Sequence, residues 1–308
     1  MDYLYKLRLI NITILISVAM SAAITLAWVT CPLCATFKDS LGREVNLERD
    51  PERIVSLAPN ITEILYFLGL GDRVVGVTRF SYYPPEANKK PKVGSYINLN
   101  VEKIISLSPD LVIGTVDGNE QVIADILTQA GIQVFIVSAR NIGQIIETIV
   151  QLGHVCGIPA NARALAAGLN ERVDKILGKT RSSKKPLVFL QINLRPIMTV
   201  NRNSFLHDLI NIAGGVNMAG DRPMTYPKIS IEEIIKRRPE VIIISSMERG
   251  GRFEKARQAW LKWTSIPAVK NNRVHLIDSD LIDRPAPRII DGLEAMAGII
   301  HPEIDWEK

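Results

Sequence analysis

One pattern of apolar and polar positions occurs twice in this chain. Val101 to Gly114, VEKIISLSPDLVIG, and Ile231 to Ile244, IEEIIKRRPEVIII, each read as a short helix, a proline that stops it and an apolar run suited to a buried strand. Aligned without gaps, they share Glu102 with Glu232, Ile104 with Ile234, Ile105 with Ile235, Pro109 with Pro239 and Ile113 with Ile243. Isoleucine richness supplies matching isoleucines by chance, but not the glutamate and the proline, so the pair reads as a repeat. Between the copies lies the longest uninterrupted helical pattern, Pro159 to Gly178, PANARALAAGLNERVDKILG. Leu165, Leu169, Val173, Ile176 and Leu177 recur on one face. Pro159 suits the first helical position, and Gly178 suits the residue beyond the end. About 20 residues at ~1.5 Å each make a rod of roughly 30 Å, a connecting element between two lobes.

The flanking pattern supplies those lobes. Phe37 to Asn46 reads as a hairpin around Leu41-Gly42, Arg53 to Ala58 as a buried strand, Ile61 to Gly69 as a helix and Val74 to Val77 as a second strand. A strand, helix and strand at this spacing require a largely parallel sheet covered by helices. A loop from Pro84-Pro85 reaches Asn100. The first repeat copy then delivers a strand to Gly114, followed by a helix over Gln121 to Ala130 and a strand over Ile132 to Val137. Ile142 to His154 is amphipathic and leads into the connecting helix. Beyond it come strand Leu187 to Gln191, helix Phe205 to Ala213, strand Val241 to Ser245, a helix holding Trp260 to Trp263, strand Val274 to Ile277 and a closing helix from Arg288 to Ile300. The expected fold is α/β: two Rossmann-like lobes with parallel sheets, 38–140 and 181–308, joined through 141–180 by a single long rigid helix.

Residues 1–37 stand apart from this pattern. Lys6 and Arg8 precede a stretch from Leu9 to Phe37 with no charged residue, long enough to cross a bilayer, and the basic flank stays inside, so the remainder is exported. A retained membrane anchor and a cleaved signal both fit, since Val29-Thr30-Cys31 and Leu33-Cys34-Ala35 are mediocre cleavage sites. Trp28 and Thr30 argue against lipid attachment at Cys31. Cys31 and Cys34 have redox spacing but lack the flanking strand and helix. Cys156 reads as a small core residue.

At 308 residues, 47% hydrophobic and 22% charged, the chain has material for about two domains. Its formal charge of +5 is scattered, without a basic stripe interleaved with aromatics, which argues against nucleic acid. No GxSxG elbow, P-loop, GxGxxG after a strand or HExxH is present, and His154, His207, His275 and His301 are spread along the chain without carboxylates at ligand spacing. Neither catalysis nor a resident metal or cofactor is expected. An anchored extracytoplasmic enzyme is the rival class, and no nucleophile with a nearby base speaks for it. The remaining chemistry sits in loops at strand ends, where open α/β sheets hold ligands. Those loops carry Tyr82-Tyr83-Pro84-Pro85, Tyr96, Tyr226, and Asp280, Asp283 and Arg284 of SDLIDRPAPR. Tyrosines offer flat faces with a polar tip, suited to a large, partly polar ring system.

At the level of motifs the chain resembles the periplasmic substrate-binding proteins of ABC importers whose lobes are joined by one rigid helix, and within them the cobalamin-binding members. The resemblance covers about Arg53 to Glu303. It is carried by SLAPNITEILYFLGLGDRVVGVT, SYYPPEA, VGSYINLNVEKIISLSPDLVI, FLQIN and DSDLIDRPAPRI. It implies a periplasmic or membrane-anchored monomer that binds cobalamin, a corrinoid, as a transported ligand and hands it to an ABC permease dimer with its ATPase subunits. By position it implies Tyr83, Tyr96, Ile192, Tyr226, Asp280, Asp283 and Arg284 as ligand contacts. Tyr96 and Tyr226 stand where the enteric member has tryptophans, and Ile192 where it has a phenylalanine. That thinner clamp leaves room for haem or a ferric siderophore. Glu102 and Glu232 each lie two residues beyond an N-cap candidate, Asn100 or Ser230, so helix capping alone accounts for either acid. The resemblance adds that both dock onto arginines of the permease.

Overall fold

Both copies of the repeat occupy the same place in two sheets of the same strand order. The computed structural model describes residues 35–118, 121–245 and 252–306. The apolar segment through residue 34, with Cys31 and Cys34, lies outside them. Among the described residues no helix is long and apolar enough to cross a membrane.

A hairpin of β1 (Ala35–Lys38) and β2 (Glu44–Leu47) opens the described chain. Next come β3 (Ile54–Ser56), α1 (Pro59–Phe67), β4 (Val74–Val77), α2 (Val101–Ser106), β5 (Leu111–Thr115), α3 (Gln121–Gln129) and β6 (Gln133–Val137), whose strands form a parallel sheet in the order β4-β3-β5-β6. Helices α4 (Ile142–Val155) and α5 (Pro159–Thr180) lead to the second lobe. It contains β7 (Leu187–Gln191), α6 (Phe205–Ile212), β8 (Val216–Asn217), α7 (Ile231–Arg237), β9 (Val241–Ile244), α8 (Arg252–Leu261), α9 (Pro267–Lys270), β10 (Val274–Leu276), α10 (Ser279–Ile282) and α11 (Ile289–Ile300). Its parallel sheet runs β10-β9-β7-β8. In each sheet the first strand lies between the second and the third, with the fourth outside the third. The α/β expectation with two parallel sheets is borne out.

The repeat is α2 with β5 in one lobe and α7 with β9 in the other. It extends to a polar contact that periodicity does not reveal. The acid after each repeat proline turns back to the start of its lobe's first strand: Asp110 Oδ2 accepts from Arg53 N at 3.0 Å, and Glu240 Oε2 from Leu187 N at 3.1 Å. Asn100 and Ser230 cap α2 and α7, accepting from Lys103 N and Glu233 N. Every residue of β5 and β9 is buried, as strands covered on both faces require.

One apolar cluster runs through the molecule. It includes Ile54 and Phe135 of the first sheet, Ile149 and Leu152 of α4, Val173 and Ile176 of α5, Val188 and Ile243 of the second sheet and Leu293 of α11. The lobes therefore share a core. The buried face of α5 is Ala162, Ala166, Leu169, Val173, Ile176 and Thr180, whereas Leu177 is 42% exposed. Gly178 does not end this helix. Two further residues stay helical because Thr180 Oγ1 donates to Ile212 O and Lys179 Nζ to Asp305 O, so tertiary bonds outweigh the local glycine signal.

The hairpin starts at Ala35, inside the segment assigned to the anchor, because it docks on the first sheet. Asp39 is buried in the hairpin turn, accepting from Leu41 N, Arg43 N and the Arg43 guanidinium, while Ser40 N donates to Ile136 O. Residues 35–37 thus pack with the lobe. Helix α8 stops at Leu261, leaving Trp263 in the turn that follows.

A core shared by both lobes predicts one cooperative unfolding transition by calorimetry; two separated transitions would contradict it. Ile149→Ala, at a fully buried position of α4, is expected to lower stability by about 2 to 5 kcal/mol in urea titration.

Candidate functional site

Thr115 at the carboxyl end of β5 and Val137 at that of β6 border a crevice, the place where open α/β sheets hold ligands. A cavity of about 140 Å³ lies at this place. Asn60 at the start of α1, Thr115 at the end of β5, Tyr96 and Asp117 line it from the first lobe, and Phe205, Tyr226, Asp283 and Pro285 from the second.

Local backbone geometry sets the Tyr96 loop. Gly94 has φ +118°, and a Cβ there would meet Asn98 O at 2.5 Å, so only glycine closes the turn in which Ser95 N donates to Asn98 O. A Cβ on Gly118 would overlap the Tyr96 ring. Burial pushes the phenols of Tyr96 and Tyr226 above the ordinary tyrosine range, with Asp117 adding to the rise at both. The spacing from Tyr96 to Glu102 equals that from Tyr226 to Glu232, so the repeat carries one tyrosine onto the other.

Beside the cavity the lobes are bonded to each other. Tyr82 Oη donates to Asp280 Oδ1 at 2.7 Å, and the Arg284 guanidinium lies over the Tyr82 ring at 4.3 Å while facing Asp280 at 3.6 Å. Arg288 donates through Nε and Nη2 to Glu63 at 3.0 and 2.8 Å and lies over the Tyr83 ring at 3.5 Å. The loop carrying both tyrosines is held by a chain of buried hydroxyls: Ser56 with Thr62 at 2.8 Å, Thr62 with Ser81 at 2.9 Å and Ser81 with Thr78 at 2.9 Å. Asp283 Oδ1 accepts from Ser245 Oγ at 3.0 Å, and its Oδ2 is buried without a hydrogen-bond partner. Burial raises this carboxyl to about 6, against the opposing pull of Ser245 and Arg284.

Of the residues expected from sequence, Tyr96, Tyr226 and Asp283 line one cavity. Tyr83, Asp280 and Arg284 flank it within the cross-lobe contacts. Ile192 is not part of the lining; it is half-buried against the main core, its N–H bonded to Met198 O, because it directly follows β7. Glu102 and Glu232 are both exposed. Glu232 is lowered by hydrogen bonds to its own backbone and to Ser230, which is capping chemistry. Sequence reasoning does not single out Asn60, Asp117, Glu63 or Arg288, and names Tyr82 only as part of its loop. Glu63 had a signal, a lone charge inside the apolar run of α1, which implies a partner from elsewhere in the fold. Cys156 is buried, and burial raises its thiol to about 12, which suits a core residue. Among the described residues no group of three or more His, Cys, Asp or Glu gathers to hold a metal.

Residues 54–281 match the family model described as periplasmic binding protein. The chain belongs to this family. Its relatives include the vitamin B12-binding protein of Vibrio parahaemolyticus, 34% identical over 245 residues, covering 79% of this chain and 86% of that protein. Another is YvrC, an ABC transporter substrate-binding lipoprotein of Bacillus subtilis, 34% identical over 276 residues, covering 87% of this chain and 86% of the relative. Among solved structures, the periplasmic vitamin B12 binding protein BtuF of Vibrio cholerae superposes with a TM-score of 0.75 at 30% identity, covering 82% of this chain and 98% of BtuF. The periplasmic heme-binding protein RhuT from Roseiflexus gives 0.72 at 27%, with 82% and 98% covered. The family resemblance read from the motifs is borne out, and it puts the work of the chain outside the cytoplasm.

The Asp283 carboxyl titrates higher in the folded protein than in the unfolded chain, so folding takes up a proton between about pH 4 and pH 6. Stability from this group is present below that window and lost as pH rises through about 6. Asp283→Asn removes the cost of the buried charge. The melting-temperature gain of Asp283→Asn over wild type is therefore expected to be larger at pH 8 than at pH 4, and an equal gain at both would place the charge in a solvated setting.

Proposed function

We propose that the protein is an extracytoplasmic receptor that binds a corrinoid, cobalamin, and delivers it to an ABC permease dimer and its ATPase subunits, with no covalent step. The observation that carries the reading is the pair Tyr96 and Tyr226, equivalent residues of the two repeat copies that line one cavity together with Thr115 and Val137, the last residues of β5 and β6. Two such rings from two lobes provide opposed flat walls with polar tips for a macrocycle. Asp280, Asp283 and Arg284 provide acceptors and a forked donor for the amide groups at its edge. The vitamin B12-binding relatives support the same ligand. Asp117 and Tyr226 also line an adjoining open pocket of about 680 Å³ with Arg140, Arg202 and His207, which brings the space beside the tyrosines into the ~300–1,000 Å³ range of ordinary ligand sites.

Haem is the second reading, favoured by the two phenols in the cleft, which are chemically able to ligate iron, and by the heme-binding neighbour. In both readings the exported receptor acts as a monomer on the outer face of the cytoplasmic membrane, with the N-terminal apolar segment as signal or anchor. Glu102 and Glu232, exposed at matching positions of the two lobes, meet arginines at matching positions of a two-fold permease.

The visible absorption spectrum of the full chain re-isolated after incubation with cobalamin, or with haem, separates the readings, since each ligand carries its own chromophore. Tyr96→Ala and Tyr226→Ala are each expected to weaken cobalamin binding by about 1 to 3 kcal/mol in calorimetry. Unchanged affinity in both places the ligand elsewhere.

The double variant Glu102→Ala with Glu232→Ala is expected to keep its fold and its ligand affinity while uptake through the cognate permease is lost. Normal uptake by the folded variant returns both glutamates to helix capping.

A further inference from the structure

Glu63 is the one carboxylate on the buried side of α1, with a side chain 3% exposed among Ile61, Ile64 and Leu65. An unpaired charge in such surroundings costs several kcal/mol, so its position is bound to that of its partner. The partner comes from the other lobe. Arg288 stands at the start of α11 behind Pro285-Ala286-Pro287, a backbone with little freedom, and gives two N–H groups to the two oxygens of Glu63. A guanidinium forked in its own plane onto a carboxylate leaves its face free. That face lies 3.5 Å from the centre of the Tyr83 ring, which is 38% exposed. A lysine has a point charge and no face, so only arginine meets both partners at once. The other charged group near Arg288 is Asp280, which is engaged by Tyr82 and Arg284.

We infer that Arg288 is a positioning residue for the ligand cleft, locked by Glu63 across the lobe boundary and holding the Tyr83 ring as part of the wall the ligand meets. This deepens the proposed function and rests on Tyr83 being a ligand contact. A purely structural pin between the lobes is the competing account. The two differ in whether the effect of Arg288 passes through Tyr83.

Two measurements on the full chain decide between them. In ligand-free protein labelled with ¹³C on the tyrosine rings, Arg288→Lys is expected to shift the Tyr83 resonance, assigned through Tyr83→Phe; an unchanged resonance overturns the inference whatever the ligand proves to be. In cobalamin titrations, Arg288→Lys is expected to weaken binding about tenfold in the wild-type background and less than about twofold in Tyr83→Ala, the coupling expected of residues in contact. An equal loss in both backgrounds also overturns the inference. If Arg288→Lys does not fold, Glu63→Leu with Arg288→Met replaces the ion pair by apolar side chains without leaving a buried charge, and the same two outcomes apply. Failure of the wild-type chain to bind cobalamin removes the corrinoid reading, and the ring resonance still judges whether Arg288 holds Tyr83.

Discussion

Parallel strands impose the constraint on which the rest of this structure depends. A parallel sheet returns each crossover to the same edge, so all its carboxyl ends, and the loops leaving them, lie together. Two such sheets joined by α5 bring two loop edges towards one space. The residues there need not be near each other in sequence: Tyr82 meets Asp280, Glu63 meets Arg288, and Tyr96 shares a cavity with Tyr226. The strands themselves are almost wholly apolar, which leaves polar chemistry to their ends. The hydroxyl chain of Ser56, Thr62, Ser81 and Thr78 illustrates this, since it begins at the last residue of β3 and fixes the loop that carries Tyr82 and Tyr83.

The shared core makes this arrangement a single mechanical object. Val173 and Ile176 of α5 belong to the same apolar cluster as Ile54 in one sheet and Ile243 in the other, so a hinge at α5 would expose packed surface. The polar contacts across the seam reinforce it. Arg172 on α5 joins Asp291 and Glu294 on α11, and Ile142 N at the start of α4 bonds to Asp208 of α6. Little closure of one lobe on the other is therefore expected on loading.

The elements were legible in the sequence because their signals are local. A proline after a short amphipathic turn and an all-apolar run behind it specify α2 with β5 and α7 with β9. The bounds of β4 and β7 follow from apolar runs alone. Legibility failed where a long-range bond decides: the last turn of α5 beyond Gly178 depends on Thr180 and Lys179 reaching other segments, and the start of the hairpin depends on Asp39 and Ser40 meeting β6. The site divided in the same way. Aromatic and acidic loop residues announced Tyr96, Tyr226 and Asp283. The sequence does not separate Tyr82, which reaches Asp280, from its neighbour Tyr83, because the direction of adjacent side chains is a property of the folded loop. Ile192 rests on the motif's positions alone; it packs against the core beside β7, its N–H bonded to Met198 O, and is not among the residues lining the cavity.

The buried acids of the seam show why such a cleft tolerates features that reduce stability. Glu63 and Asp283 both hold a carboxyl largely out of water, but only Glu63 has its two oxygens engaged by a forked partner. A satisfied pair fixes geometry, and an oxygen left without a donor keeps an unfulfilled capacity. A ligand whose edge carries N–H groups would supply to Asp283 the donor that Ser245 and the neighbouring backbone do not. The cost of burying that oxygen would then be offset on filling of the cleft, and a local destabilisation would become selectivity for donors over acceptors at that position.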